Sequence, residues 1–416
     1  MKRVAVTGIG VVSPLGEGEA AFFANLLAGR SGVRRIEAAF AQRLGPQVAA
    51  SSNFDGAAHF GPPRLRMLDR VSQFALVAAA QAMAAADPSL DDDERRDAGV
   101  FVGTGMGGAT TTDDGYRALY EQGLERMLPF SVLAGMNNAA AAWIGIEYAF
   151  GGPNLTYSTA CSSSAVAIGE AWRRVRSGET PIALAGGAEA PLTLGTLKAW
   201  QALRTLATED PRDPAATCKP FAKDRSGLVL GEGAAMLVLE DYERARRRGA
   251  RIRGELVGYG LSTDPGHITR PSCEGQARAM ELALRSGSLD PAAIGYINAH
   301  GTGTLANDAV ETAAIKQVFG ERAYRLPVSS TKAMHGHLLG AAGAIELVAT
   351  LLALEQGMLP PTINLQVPDP QCDLDYITQG ARAAEDVEFA LTNAFAFGGT
   401  NAVLACRRAS TAPTLM

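Results

Sequence analysis

The amino-acid sequence predicts an α/β protein built from two similar halves. Three observations carry that reading. Short, continuously apolar runs alternate with segments of helical periodicity, as expected of strands covered on both faces by helices and paired largely in parallel. One strand–turn–helix unit occurs twice, the mark of an internal repeat. The chain has 416 residues, 47% hydrophobic and 19% charged. That is enough for two or three domains or one large fused core, with a balance opposite to that of a disordered chain.

The first run, VAVTGI (4–9), is a strand, and LDRVSQFALVAAAQAMAAAD (68–87) has helical spacing. GVFVGT (99–104) is the next strand. LTYSTA (155–160) leads through Cys161 into SSSAVAIGEAWRRVRSG (162–178), where Gly178 is placed to end a helix. IALAGG (182–187), AAMLVLE (234–240) and LVGYGL (256–261) read as strands. CEGQARAMELALRSG (273–287) is helical and YINAHG (296–301) is a strand. LPVSST (326–331) then leads through Lys332 into AMHGHLLGAAGAIELVATLLALEQG (333–357), the second copy of the unit. Proline follows each copy, at Pro181 and Pro360. FALTNAF (389–395) and NAVLACR (401–407) flank a glycine turn and read as antiparallel. The seam falls near residue 250, beside the basic stretch Arg244-Ala245-Arg246-Arg247-Arg248-Gly249, which reads as a solvated helix end. The halves are therefore 1–250 and 251–416.

Lys and Arg number 38 against 43 Asp and Glu, a formal charge of -5. That argues against a general nucleic-acid binder, which needs a basic face to neutralise phosphates, and leaves a local basic patch open. Glycine is 46 of 416 residues against a usual ~7%, which implies many tight turns or close backbone approaches. The five cysteines, Cys161, Cys218, Cys273, Cys372 and Cys406, are odd in number and contain no C-x-x-C. No disulfide framework or structural zinc site is expected, and a reducing cytoplasm fits. The apolar start is interrupted by Gly8, Gly10 and Pro14, so it does not read as a signal peptide. No run reaches the ~18 apolar residues of a membrane span; the richest, IELVATLLAL (345–354), contains Glu346.

Cys161 stands between a strand and a helix that begins Ser162-Ser163-Ser164. A helix N-terminus offers free N–H groups and partial positive charge, which favour a thiolate and can hold an oxyanion. A lone cysteine is more often buried and inert. The helix start and its small neighbours set Cys161 apart, and the other four read as inert. His300 lies in Asn298-Ala299-His300-Gly301-Thr302-Gly303-Thr304 at a strand exit, where a glycine-rich loop can approach a ligand. His335 and His337 follow Lys332 at i, i+2 spacing; they share no helix face, so one of them is expected in a site. Zinc is an alternative for a cysteine with three histidines, but no carboxylate lies close by, and no metal is expected. Gly103-Thr104-Gly105-Met106-Gly107-Gly108 has G-x-G-x-x-G spacing. The following Ala109-Thr110-Thr111-Thr112-Asp113-Asp114-Gly115 does not read as the helix a dinucleotide site requires. Phe395-Ala396-Phe397-Gly398-Gly399-Thr400-Asn401 is either an ordinary glycine turn or a mobile loop whose backbone N–H faces a site.

Four of these motifs, in this order, resemble the β-ketoacyl-[acyl carrier protein] synthases, and most nearly the elongating synthase II. They are STACSSS around Cys161, NAHGTGT around His300, SSTKAMHGHLLGAAG around Lys332 and His337, and AFGGTN around Phe397. The likeness runs from VAVTGIGVVSPLG to NAVLACR. It implies a thiolase fold, with duplicated halves forming a five-layer α-β-α-β-α core, usually in a homodimer. It implies that Cys161 takes an acyl group from a carrier thioester, with the N–H groups of Cys161 and Phe397 as oxyanion hole. His300 and His337 would stabilise the enolate formed as a malonyl carrier loses carbon dioxide, giving a β-ketoacyl thioester two carbons longer. Lys332 would organise the site with Glu346 as its ion-pair partner. Thr302, Thr304 and Thr269 would bind pantetheine, and Phe397 would be a gate hinged at Gly398 and Gly399. Met106 and Trp200 map near the acyl tunnel. An acidic acyl carrier protein implies a basic landing patch, for which Arg64, Arg66, Arg70 and Arg204 are candidates. The resemblance implies no cofactor other than the carrier's phosphopantetheine arm.

Three positions depart from that pattern. His335 stands where a small polar residue is expected, Trp200 is bulkier than the expected phenylalanine, and Ala396 replaces a glycine. They leave the reaction class in place and open the substrate. The pathway is fatty-acid synthesis or, alternatively, polyene or aromatic polyketide assembly with a chain-length partner. A non-catalytic partner subunit is opposed by the intact cysteine and histidines. A degradative thiolase is opposed by the second histidine standing in place of a second cysteine.

Overall fold

The structure is a computed structural model, and it describes residues 1–45 and 47–409. Its principal strands are β1 (Val4–Ser13), β2 (Gly99–Gly103), β3 (Asn154–Tyr157), β4 (Ile182–Glu189), β5 (Gly233–Asp241), β6 (Gly254–Thr263), β7 (Ile294–Asn298), β8 (Val328–Ser329), β9 (Phe389–Phe395) and β10 (Thr400–Arg408). Together with Gly16–Glu17, which pairs with β1, they form an 11-stranded sheet in the order β8-β7-β9-β10-β6-β1-β5-β4-β2-β3. Outward from β1 the order is β1-β5-β4-β2-β3. Outward from β6 it is β6-β10-β9-β7-β8, the same order with every number raised by five. Directions repeat too. The two pairings nearest the seam in each fan are antiparallel, and the two farthest are parallel. The fans meet through Val4–Leu256, Ala5–Glu255 and Val6–Gly254.

The expectation of largely parallel pairing is corrected by this pattern. Continuous apolarity reports that both faces of a strand are covered; it says nothing about strand direction. The final hairpin, β9–β10, is antiparallel as read.

Helices complete the layers. They are α1 (Arg70–Ala86), α2 (Ala109–Tyr120), α3 (Ala139–Tyr148), α4 (Ser163–Ser177), α5 (Leu194–Leu203), α6 (Cys273–Gly287), α7 (Asn307–Phe319) and α8 (Ala342–Gln356). Successive residues of one strand enter different cores. On β4, Ile182, Leu184 and Ala188 pack outward with α1, whereas Ala183 and Ala185 pack inward with α4. On β10, Val403 and Ala405 face α6, whereas Leu404 and Cys406 face α8. The three main apolar clusters among the described residues thus lie between five layers, α-β-α-β-α, the thiolase-like arrangement. Residues 339–356 are long and apolar enough to cross a membrane, but 89% of that window is buried. A helix enclosed by protein is apolar all round for that reason.

The two central helices touch where their N-termini meet. A Cβ on Gly343 would lie 2.7 Å from the Ala165 Cβ, so glycine is what permits the approach. The Ala344 N–H donates to the Ser164 hydroxyl at 2.9 Å. The segments leading into α4 and α8 carry Cys161 and Lys332–His337, and this contact brings them together.

Two local readings are corrected. The polar segment after Gly108 does form a helix, α2. Tertiary partners replace an apolar face there: the Thr111 N–H donates to Asp69 at 2.7 Å, and Asp113 accepts the Gly195 N–H at 2.9 Å. The basic stretch begins as the helix Tyr242–Arg247, but Arg244 and Arg248 both bind the buried Glu240. All five cysteines are free thiols.

Candidate active site

β3 ends at Tyr157, and the chain turns sharply. Ala160 has φ 50, a left-handed conformation uncommon for a residue with a Cβ. The serines of the motif hold this turn. The Thr159 N–H donates to the Ser163 hydroxyl at 2.9 Å, and the Ser162 and Ser163 hydroxyls donate to the Thr159 and Ala160 carbonyls at 2.9 and 2.6 Å. Cys161 is thereby fixed in the 3-10 turn Ala160–Ser162, immediately before α4.

The loop after β7 is nailed down by acids from α7. Glu311 accepts the His300 and Gly301 N–H groups at 2.7 and 2.8 Å, and Asp308 accepts those of Thr302 and Gly303 at 3.1 and 3.2 Å. After β8, the His337 N–H donates to the Val229 carbonyl at 2.7 Å. Between β9 and β10, Gly398 and Gly399 have φ 85 and 80, a region that favours glycine. A Cβ on Gly399 would lie 2.3 Å from the Asp264 carbonyl oxygen.

These four loops converge. Cys161, His300, His337, Thr302, Thr304, Thr269, Phe397 and Gly399 line one pocket. The two imidazoles lie edge to face, with centroids 5.4 Å apart. Lys332 is buried, pairs with the buried Glu346, and places its ammonium 3.3 Å from His300 Nδ1. An ammonium can only donate, so His300 Nδ1 accepts and Nε2 carries the ring proton. Burial, then the Lys332 charge, holds both His300 and His337 well below the usual imidazole range. Both are therefore neutral. Neither ring nitrogen of buried His337 has a hydrogen-bond partner among the described residues. A buried polar group in that state is a place for a ligand atom.

The expected thiolate is corrected. Burial pushes the Cys161 thiol up to about 12, and the Lys332 charge and the Phe397 N–H only partly oppose it. Cys161 is 5% exposed; removal from water outweighs the Lys332 charge and the Phe397 N–H, and the resting group is a thiol. Burial likewise pushes Glu346 up to about 7, even with Lys332 against it.

Other expected residues separate. Thr302 and Thr304 share a 2.8 Å hydroxyl contact. Trp200 does not line the pocket but stacks on Phe397, with centroids 6.1 Å apart and planes 22° apart, and it packs against the apolar cluster around Cys161. Gly398 is tethered outside it, donating to the Ile268 carbonyl at 2.7 Å. Met106 is 41% exposed and does not line this pocket. Its N–H donates to Glu189 at 2.9 Å. The Arg70 guanidinium grips the buried Glu232 at 2.9 and 2.8 Å. Arg64 pairs with Glu147. Arg66 and Arg204 are exposed and form no ion pair among the described residues.

Sequence reasoning missed the buried acids. Besides Asp308 and Glu311, Glu189 accepts the N–H groups of Gly105, Met106 and Gly340 at 2.6, 2.9 and 2.8 Å. It joins a loop of the first fan to one of the second. Burial pushes it up to about 7. Asp264, Arg270 and Pro271 also line the pocket. The available signal was Asn307-Asp308 with Glu311 on one turn of helix beside the histidine loop. Among the described residues, no three His, Cys, Asp or Glu side chains gather as a metal site.

The depressed imidazoles make stability depend on pH. His337 stays neutral when folded but takes a proton near pH 6.5 when unfolded. Its contribution is therefore present above that pH and lost as pH falls through it. Glu189 and Glu346, raised to about 7, act with the opposite sign and mask the trend in the wild-type curve. The difference between wild type and His337→Asn isolates it. Denaturant titrations are expected to show the variant gaining on wild type as pH drops from about 7 to 5. A pH-independent difference would contradict the buried neutral ring.

Residues 1–245 match the Beta-ketoacyl synthase, N-terminal domain, and residues 253–366 match the Beta-ketoacyl synthase, C-terminal domain. The chain is 42% identical to Nodulation protein E of Rhizobium leguminosarum bv. trifolii over 407 residues, covering 98% of this chain and 99% of that protein. It is 41% identical to 3-oxoacyl-[acyl-carrier-protein] synthase 2 of Synechocystis sp. over 413 residues, covering 98% of each. Among solved structures, the ishigamide ketosynthase/chain length factor superposes with a TM-score of 0.91 at 37% identity, covering 98% of this chain and 100% of that one. Sequence, fold and pocket agree along the whole length, and the chain belongs to the β-ketoacyl synthase family, condensing acyltransferases that elongate a chain presented on a carrier protein and need no metal or other cofactor.

Proposed function

We propose that Cys161 is the nucleophile, with His300 and His337 as enolate-stabilising donors. The first half, 1–250, supplies the cysteine, and the second, 251–416, supplies both histidines and Lys332. The observation that carries this is the shared pocket, in which two neutral imidazoles face one thiol. In the first step the Cys161 sulfur attacks the carbonyl of an acyl carrier thioester. Its proton leaves with the departing carrier thiolate, and the acyl group stays on sulfur. The N–H groups of Cys161 and Phe397 hold the tetrahedral oxyanion. In the second step a malonyl carrier loses carbon dioxide, and the electron pair of the broken bond forms an enolate held by His300 and His337. Neutral N–H donors suit this task, because they stabilise charge that exists only after decarboxylation. The enolate carbon attacks the acyl carbonyl, releasing the Cys161 sulfur, which takes a proton from solvent in place of the one that left with the first carrier. Lys332, paired with Glu346, keeps His300 Nδ1 an acceptor so that Nε2 donates.

Thr302, Thr304 and Thr269 bind the pantetheine arm, and the pocket wall they form supports this. Phe397 is the gate, and two left-handed glycines beside it make its motion inexpensive. Trp200, stacked on that gate, shapes the acyl chain that is accepted. Arg66 and Arg204, exposed and without an ion pair among the described residues, meet the acidic carrier, with Arg64 as a third candidate. The free edge of β3 and the exposed Leu155, Leu128, Val132 and Leu133 support a dimer, either with a second copy or with a chain-length partner. The free thiols support a cytoplasmic location. The pathway is fatty-acid synthesis. The second reading, the active subunit of a polyketide ketosynthase pair, is favoured by the superposition on a ketosynthase/chain length factor structure.

Intact-mass spectrometry after incubation with a panel of acyl carriers tests the assignment. One acyl adduct, mapped to Cys161, is expected, followed by a two-carbon-longer ketone on the carrier when malonyl carrier is added. An adduct elsewhere, or no adduct with any carrier, would refute it.

A further inference from the structure

His335 is the motif histidine that the reaction leaves unused. It is fully buried, two residues from His337. Both ring nitrogens are engaged: Nδ1 lies 2.8 Å from the Gly336 carbonyl oxygen, and Nε2 lies 2.9 Å from the Thr331 hydroxyl. A carbonyl only accepts, so Nδ1 carries the proton and Nε2 accepts from Thr331. Burial, then the Lys332 charge, pushes His335 down to about 3, so this single tautomer persists at working pH.

The Gly336 carbonyl and the His337 N–H belong to one peptide plane. His335 Nδ1 holds its oxygen, and the Val229 carbonyl holds its N–H at 2.7 Å. A planar unit gripped at both ends cannot rotate, and its orientation sets where the His337 side chain leaves the backbone. The grip is needed here because Gly336, at φ 69 and ψ -171, has no side chain to restrain it. A Cβ there would lie 2.8 Å from the Ala50 Cβ. The far end of the His335 ring grips Thr331, the residue before Lys332. A small polar side chain at this position could not span from Thr331 to the Gly336 carbonyl.

We infer that His335 is a positioning residue for decarboxylation: it fixes the Gly336–His337 peptide, aims the His337 ring, and ties that ring to the segment carrying Lys332. The inference rests on the role proposed for His337. Loading of Cys161 does not pass through this peptide, and the two half-reactions can be measured separately.

Three variants test it in the full-length protein. H335A removes the ring, H335F fills its volume without a donor, and H335N puts an amide N–H where Nδ1 stands. For each, malonyl-carrier decarboxylation is measured beside acyl loading of Cys161 by intact mass. H335A and H335F are expected to lose at least about tenfold in decarboxylation while loading normally, with H335N restored to within about threefold of wild type. A structural role alone would lower both half-reactions together. Wild-type decarboxylation by H335F, failure of H335N to recover, or parallel loss of both half-reactions would each overturn the inference. So would a set of variants that never yields folded, loadable protein. H337A is the control: if it decarboxylates like wild type, the role given to His337 is wrong, whatever the His335 variants do.

Discussion

Cys161→Ala is expected to lower condensation by at least about 10⁴-fold, because the variant has no atom on which to hold the acyl group. No neighbouring nucleophile can replace the sulfur. The adjacent Ser162 and Ser163 hydroxyls are committed to the Thr159 and Ala160 carbonyls. The loss should be selective. His300 and His337 come from other loops and do not depend on Cys161 for their placement, so malonyl-carrier decarboxylation should survive within about tenfold. Carbon dioxide release without chain extension is the signature. Retained condensation, or decarboxylation lost in step with it, would show that the cysteine does not act as assigned.

The second large effect falls on stability. Lys332 and Glu346 are both fully buried and pair with each other. Removing one partner strands a charge away from water, which costs about 3–5 kcal/mol. Glu346→Ala is therefore expected to destabilise by that amount, and to weaken the Lys332 contact that sets the His300 tautomer. A Lys332→Met/Glu346→Leu double variant, which removes both charges, should recover most of the stability and none of the condensation. Urea titration beside a condensation assay separates the two effects. A Glu346→Ala protein as stable as wild type would mean that the pair is not held as described.

Much of this was legible in the sequence because packing and chemistry left local traces. α6 spans 273–287 as read, and β9 spans 389–395 as read. A helix with one apolar stripe shows a period of about 3.6 residues, and a strand sealed on both faces shows a short unbroken apolar run. The repeat was visible because both copies keep strand, sharp turn and small-residue helix. Strand direction was not visible, since β5 and β10 are as apolar as the parallel strands beside them. α2 was missed because Asp69 and Asp113, not apolar residues, anchor it. The site acids were missed for a related reason. Asp308, Glu311 and Glu189 look like solvated charges until the fold brings backbone N–H groups to them. The resting state of Cys161 was misjudged because a helix start is local and predictable, whereas desolvation depends on every layer around it.

The repeated strand order has a consequence for how this molecule fails. On the roles proposed for Cys161, His300 and His337, one fan supplies the handle that grips a growing chain and the other the tools that make the incoming unit reactive; neither alone extends a chain. Partial melting of either fan thus ends chain extension outright. The turnover signal and the tertiary signal should vanish at the same denaturant concentration, so that mechanical cooperativity and chemical competence are one property.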